Sequence, residues 1–431
     1  MPLATQTQPA TARCQYCGAE FPADSDQCSA CGRQISARST QITIAATLLL
    51  IIAGFVLTRY FVNLHRGTEE DLANRWFKRG NEAMQANLPK FAAEAYRTAL
   101  NYDRENDTYR LRLAQALVAD NLLAEARAHL LSLWEEEPAN GEVNLTLARV
   151  EARRDNYREA VRYYNGAING VWDDQARQRR ITARFELARY LIQQHKSPQA
   201  EADLLALLAD APSDPADQLL LGQMLLELND PAHALQAYDA LLSKNDNNAQ
   251  AWLGTANANL ALGNYTEAER ASAKAVQYDP NLSGARDQLD LTRELLRINP
   301  SLRGLRLAER VSRVAKAFET VITRLSACAA EQNVDLASTD GGTPGLEANG
   351  SASPGAGGTG APNELQLLYN SGLQKQATAT EKALQKNPDA LEPTMQYVFE
   401  VERASASICP NMSLTDRALL TLAQHESETL K

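Results

Sequence analysis

Large and small residues recur in register every 34 positions between Ala73 and Leu282. Inside each period the apolar positions lie three or four apart, the spacing of one helix face. Each period holds two such runs with a short polar turn between them, which predicts a pair of antiparallel helices. The first period, 73–106, carries Trp76, Gly80, Ala92, Tyr96 and Ala99. The second, 107–140, carries Leu113, Ala114, Leu117, Ala126, Leu130 and Pro138. The third starts at Gly141 and carries Leu147, Ala148, Ala160, Tyr164 and Ala167. The phase then slips by six residues, 175–180, and resumes. Leu187, Ala188, Leu191, Ala200, Leu204 and Pro212 mark 181–214, and Leu221, Gly222, Leu225, Ala234 and Tyr238 mark 215–248. Trp252, Ala256, Ala268, Ala275 and Pro280 mark 249–282. The small residues let two helices cross closely, the large ones fill the space between pairs, and the prolines end second helices. The phase runs on through 283–298 as one further helix, placed to cap the stack.

Different patterns flank the stack. Twenty uncharged residues separate Arg38 from Arg59. A helix of that length spans about 30 Å, the thickness of a bilayer's hydrocarbon core. The span predicts a transmembrane helix over 40–62, with Tyr60 and Phe61 at the interface. A cleaved signal peptide and a buried core helix are the other readings. Downstream, Leu307, Val311, Val314, Phe318, Val321, Leu325 and Cys328 alternate four and three apart. That heptad seam predicts one long helix over 302–332 that needs a partner. The stretch 338–363 is dense in Gly, Ser, Pro and Ala, so disorder is expected there, as it is for 1–12. Three more helices are expected over 364–386, 389–407 and 414–425, the last capped by Ser413. This C-terminal region, 364–427, is expected to pack with 302–332.

Composition narrows the function. The chain has 431 residues and a formal charge of −10, which disfavours broad attraction to nucleic acid. No Gly-rich phosphate loop, HExxH or GxSxG is present, and the five histidines are scattered. With no paired acid and base and no nucleophile beside a histidine, no enzymatic activity and no small-molecule substrate are expected.

The in-register large and small positions resemble the tetratricopeptide repeat. That resemblance implies a superhelix of about six repeats over 73–298; with the capping helix and the C-terminal helical bundle read from the pattern, the chain is expected to be all-α. It also implies a concave groove, lined by the first helix of each repeat, that binds a protein or peptide partner. Its unit positions fall here on Phe77, Asn81, Leu111, Gln115, Arg149, Arg153, Phe185, Arg189, Gln223 and Asn257. Such a groove is mixed apolar and polar, with arginines in the middle, which suits a peptide carrying an acidic residue. Some members of the family clamp a C-terminal carboxylate with Lys and Asn. Asn81 fits one such place, but Phe77 stands where the Lys is needed, so that binding mode is not expected.

Four of the six cysteines form Cys14-x2-Cys17-x10-Cys28-x2-Cys31, with glycine after each pair. Two such knuckles supply four thiolates to a tetrahedral zinc, and binding the metal supplies the folding energy of so short a segment. Two disulfides or free thiols are the alternatives. The segment 13–36 resembles short bacterial zinc-ribbon modules found ahead of membrane helices, which implies a structural zinc. Thiolates persist in a reducing compartment, so the ribbon is expected in the cytoplasm and the repeats outside the cell membrane. A raw count of basic flanking residues favours the opposite orientation, but long domains cross largely regardless of charge. If the helices after 302 run up, down and up, Cys328 and Cys409 reach the same end. A disulfide there and a pair of buried free thiols are both open.

Taken together, the sequence predicts a single-pass, membrane-anchored protein-interaction scaffold. The alternative is an anchored regulator whose ribbon contacts nucleic acid or a transcription or translation component. Only Arg13, Arg33 and Arg38 surround the ribbon, too few for a phosphate-binding surface.

Overall fold

The computed structural model describes residues 10–34, 37–334, 336 and 361–429. The expected disorder of 1–12 and 338–363 therefore lies mostly outside the described residues, and its margins differ from expectation. Residues 11 and 12 belong to a strand, β1 (Thr11–Arg13), which pairs antiparallel with β2 (Glu20–Pro22) and sets Ala12 opposite Phe21. Ala12 packs with Phe21, Cys14 and Cys28, so the metal-knuckle module begins two residues early. A helix already starts at Ala361.

The chain divides into two compact units between Val171 and Trp172, just before the phase slip. The first unit holds the hairpin and six helices, α1 (Ala37–Gln85), α2 (Pro89–Tyr102), α3 (Asp107–Ala119), α4 (Leu123–Glu136), α5 (Gly141–Arg153) and α6 (Tyr157–Asn169). α1 is a single helix of 49 residues. It runs through the apolar span and becomes the first helix of the first repeat without a break.

The second unit holds three more pairs: α7 (Ala176–Gln193) with α8 (Ser197–Ala209), α9 (Pro215–Glu227) with α10 (Pro231–Leu242), and α11 (Ala249–Ala261) with α12 (Tyr265–Tyr278). The capping helix α13 (Ala285–Ile298) follows. Five of the six slipped residues, 176–180, lengthen α7 at its N-terminus, and Gln175 precedes it in a left-handed turn. Arg177 donates to the carbonyls of Asp210 and Ala211 and so closes the end of α8, while Arg179 lies over the Trp172 ring.

Register is enforced by repeated local chemistry. The last residue of a period caps the next helix: Asn106 accepts from the Tyr109 N–H, Asn140 from Glu142 and Val143, Asp214 from Ala216 and Asn248 from Ala251. Position 15 of every period takes a positive φ, from Asn87 at 56° to Gly263 at 75°. Asn, Asp and Gly tolerate that conformation best, and five of the six positions use them. The helices of a pair cross where a side chain is missing. A Cβ on Gly80 would lie 2.4 Å from the Tyr96 ring, and on Gly222 or Gly254 it would lie 2.5 or 2.3 Å from Tyr238.

The C-terminal bundle comprises α14 (Leu307–Glu331), α15 (Ala361–Gln376), α16 (Glu381–Lys386), α17 (Leu391–Ser405) and α18 (Leu414–Thr429). Several helix boundaries depart from the sequence reading, and α18 runs on to Thr429. α14 starts at Leu307, not 302, because Gly304 takes φ +87° and Glu309 accepts from the Arg306 N–H at the new start. The helix expected over 364–386 breaks after Gln376 because the Thr380 hydroxyl caps a fresh turn by accepting from Ala383. A short 3-10 turn, 388–390, precedes α17. The seam residues Val311, Val314, Phe318, Val321, Leu325 and Cys328 are buried with Leu365, Leu384, Val398 and Leu419 in one core. Leu307 alone of the seam is exposed, at the helix start.

Candidate functional site

Three places carry the candidate chemistry. The first is the thiol cluster. The two CxxC turns are built alike: Gly18 N–H donates to Cys14 O and Gly32 N–H to Cys28 O, with both glycines at φ near +70°. Each turn therefore aims two sulfurs at one point. The Cys14 and Cys31 sulfurs are 3.7 Å apart, those of Cys17 and Cys28 are 3.6 Å apart, and all four lie within 4.8 Å of one another. Thiolates about 2.3 Å from a tetrahedral zinc sit about 3.8 Å apart, so the cage fits a metal of that size. Backbone N–H groups of Tyr16 and Cys17 pull the Cys14 thiol down to about 6. Cys17 is pushed up to about 12, because the other three sulfurs outweigh the lowering by the Ala19 backbone. The four sulfurs lie close enough to be ligands of one metal ion. Two of the four, Cys14 and Cys28, are buried.

The second place is the front half of α1. From Ile42 onward it is long and apolar enough to cross a membrane, and none of that span is buried within the protein. Its apolar side chains point outward all round, with Leu48 54 % and Phe55 78 % exposed.

The third place is the face formed by the first helix of each repeat. Position 5 is apolar in all six: Phe77, Leu111, Leu145, Phe185, Leu219 and Leu253. Position 9 is polar in all six: Asn81, Gln115, Arg149, Arg189, Gln223 and Asn257. Position 12 is apolar again: Met84, Val118, Ala152, Ile192, Leu226 and Leu260. In each repeat a polar position thus lies between two apolar ones, of which Val118, Leu145 and Phe185 are buried. Arg189, Gln223 and Asn257 are exposed, while Asn81, Gln115 and Arg149 are half-buried.

Several of these residues are held by neighbours. Asn81 accepts from the Tyr96 hydroxyl at 2.8 Å. Gln115 donates to Glu142 at 2.9 Å and accepts from Arg112 at 2.7 Å. Arg153 is exposed but donates to Val118 O at 2.6 Å, across two repeats, which makes it a helix-end brace. Phe77 packs its ring against Tyr109 and Tyr96. Phe185 corrects the sequence reading: it is only 5 % exposed, so it belongs to the core of its repeat, not to a surface. Arg149 and Arg153 belong to the first unit and Arg189 to the second.

Sequence reasoning missed a buried charge cluster in the bundle. Arg324 on α14 pairs with Glu402 on α17, and both are almost fully buried. Arg324 also donates to Cys409 O at 3.0 Å. Burial pushes Glu402 up to about 7, with Arg324 pulling it down and Asp416 pushing it up. Beside them the structure joins Cys328 and Cys409 in a disulfide, with Cα atoms 5.7 Å apart.

Stacked helix pairs with a repeating face define a helical solenoid, a class of protein-interaction fold. Residues 77–141, 185–247 and 219–283 match the tetratricopeptide repeat family, so the helix pairs over those residues are tetratricopeptide repeats. No curated protein matches the chain. Among solved structures, YrrB, described as a tetratricopeptide repeat protein with an unusual peptide-binding site, is 18 % identical. It covers 45 % of this chain and 97 % of its own, at a TM-score of 0.34. PilW, described as a type IV pilus biogenesis factor, is 19 % identical, with 50 % and 98 % covered and a TM-score of 0.38. A repeat protein from Parabacteroides merdae is 13 % identical, with 82 % and 99 % covered and a TM-score of 0.31.

Proposed function

We propose that this protein is a membrane-anchored scaffold whose repeat face binds a partner protein. The continuous α1 carries the reading. A fully exposed apolar span is costly in water and favourable in lipid. Because the same helix enters the first repeat, the repeats hang directly from the anchor. In each unit the first helices present side-chain amides and guanidinium groups beside apolar positions, which suits an extended or helical segment with an acidic residue.

The four thiols hold one zinc in this reading. Four protein ligands close its coordination sphere, so the ion is structural. The Cys328–Cys409 bridge supports an oxidising compartment for the repeats and bundle, and the thiol cage supports a reducing one for the ribbon. The chain then crosses the cell membrane once, ribbon inside.

Crosslinking in native membranes, followed by capture of the full chain, tests partner binding. The wild type is expected to retain a protein that the double variant Arg149→Glu/Arg189→Glu loses. Glu94→Lys, on the second helix of the first repeat, is expected to keep it. Equal capture by all three contradicts binding through the repeat face.

A further inference from the structure

The pattern reverses on the capping helix. Counted in the same register, α13 carries Asp287 at position 5, Leu291 at position 9 and Glu294 at position 12. Apolar, polar, apolar becomes acidic, apolar, acidic, and these three lie one turn apart on one face. They are the residues that meet α18. Both outer nitrogens of Arg417 donate to the two carboxylate oxygens of Asp287, at 3.0 and 2.8 Å. The Thr415 hydroxyl donates to Glu294 at 2.5 Å. Leu291 is buried in one core with Leu419 and Leu422.

The contact reaches back onto the sixth repeat. His425, near the end of α18, bonds the backbone carbonyl of Leu260 at 2.7 Å, and Leu260 is position 12 of that repeat. Its ring meets Tyr265 edge to face. One helix that touches position 12 of α11 and positions 5, 9 and 12 of α13 lies across the binding face of both.

We propose that α18 is a built-in ligand of the repeat face: it occupies the capping-helix end, and a partner's amphipathic helix with a basic residue takes that place only by displacing it. The proposal rests on the reading of the repeat face as a binding surface, but its test needs no outside partner and so fails separately. A ligand helix of this kind opens on its own, whereas a permanent bundle helix opens with its neighbours.

Hydrogen exchange on the full chain is the first measurement. Amides of α18 are expected to exchange faster than those of α14 and α17. Arg417→Glu is expected to speed exchange in α18 by about fivefold and leave α14 and α17 unchanged, as loss of one exposed ion pair would. Adding Asp287→Arg to it is expected to restore protection. The second measurement uses a labelled peptide of residues 413–429. It is expected to bind the full-length variant Arg417→Glu/Leu422→Ala, whose own α18 is loosened, at least tenfold more tightly than the wild type. Exchange of α18 in concert with α14 and α17, absence of rescue by Asp287→Arg, or equal peptide binding by both chains would overturn the proposal.

Discussion

At the residue scale, two details set measurable stabilities. Tyr238 is wedged between Gly222 of its own repeat and Gly254 of the next, with no room for a methyl group at either. Gly254→Ala is expected to cost about 1–3 kcal/mol, as overpacking does, read as a lower denaturant midpoint. Glu402 sets a pH dependence. Its carboxyl is raised from 4.5 to about 7, mainly by burial, so the folded protein holds this proton more tightly than the unfolded chain does. Its contribution to stability is full below about pH 4.5 and is lost as pH rises through about 7. The wild type is expected to lose on the order of 2–3 kcal/mol between pH 4.5 and 8 from this group, and Glu402→Gln to flatten that slope. An unchanged slope in urea titrations of the variant would place the titration elsewhere. The tight Gly–Tyr crossings were legible because a small residue recurs at a fixed place in the period. The Arg324–Glu402 pair was not, because 78 residues separate its members and each reads as an ordinary surface charge.

At the element scale, most helix ends follow from residues that recur every 34 positions, such as the capping Asn106, Asn140 and Asn248. The break after Gln376 was hidden because Leu365, Leu368 and Leu373 suggest one continuous helix, and only the Thr380 cap interrupts it. The continuity of α1 was also hidden, since the apolar span and the first repeat have different periodicities and no sequence signal says whether a helix bridges them. The contacts of α18 with α11 and α13 join residues 121 to 165 apart in sequence. Two outcomes follow at this scale. Reducing the Cys328–Cys409 bridge, which closes a separation of 81 residues, is expected to destabilise the bundle by about 4 kcal/mol in the chain-entropy model. Urea unfolding with and without a thiol reductant measures this, and Cys328→Ser is expected to give the reduced value in both. Inserting Gly-Pro between Glu70 and Asp71 is expected to break α1, since an interior proline costs about 3 kcal/mol. In detergent micelles, exchange should then rise around the insertion while α3 to α6 stay protected.

At the scale of the whole molecule, a thiol cage, an apolar helix and a repeat stack follow one another with no flexible connector between the last two. Metal analysis of the purified full chain is expected to give one zinc, lost in the variant Cys14→Ser/Cys28→Ser while the helical signal of the repeats persists. The one measurement closest to the central claim is protease accessibility of the full chain in sealed, right-side-out cells stripped of their outer layers. The account predicts that added protease removes the repeats and bundle and leaves a membrane-embedded fragment that carries the ribbon, which is digested only after detergent is added. Protection of the repeats with loss of the ribbon, or release of the intact chain by alkaline washing, would contradict it.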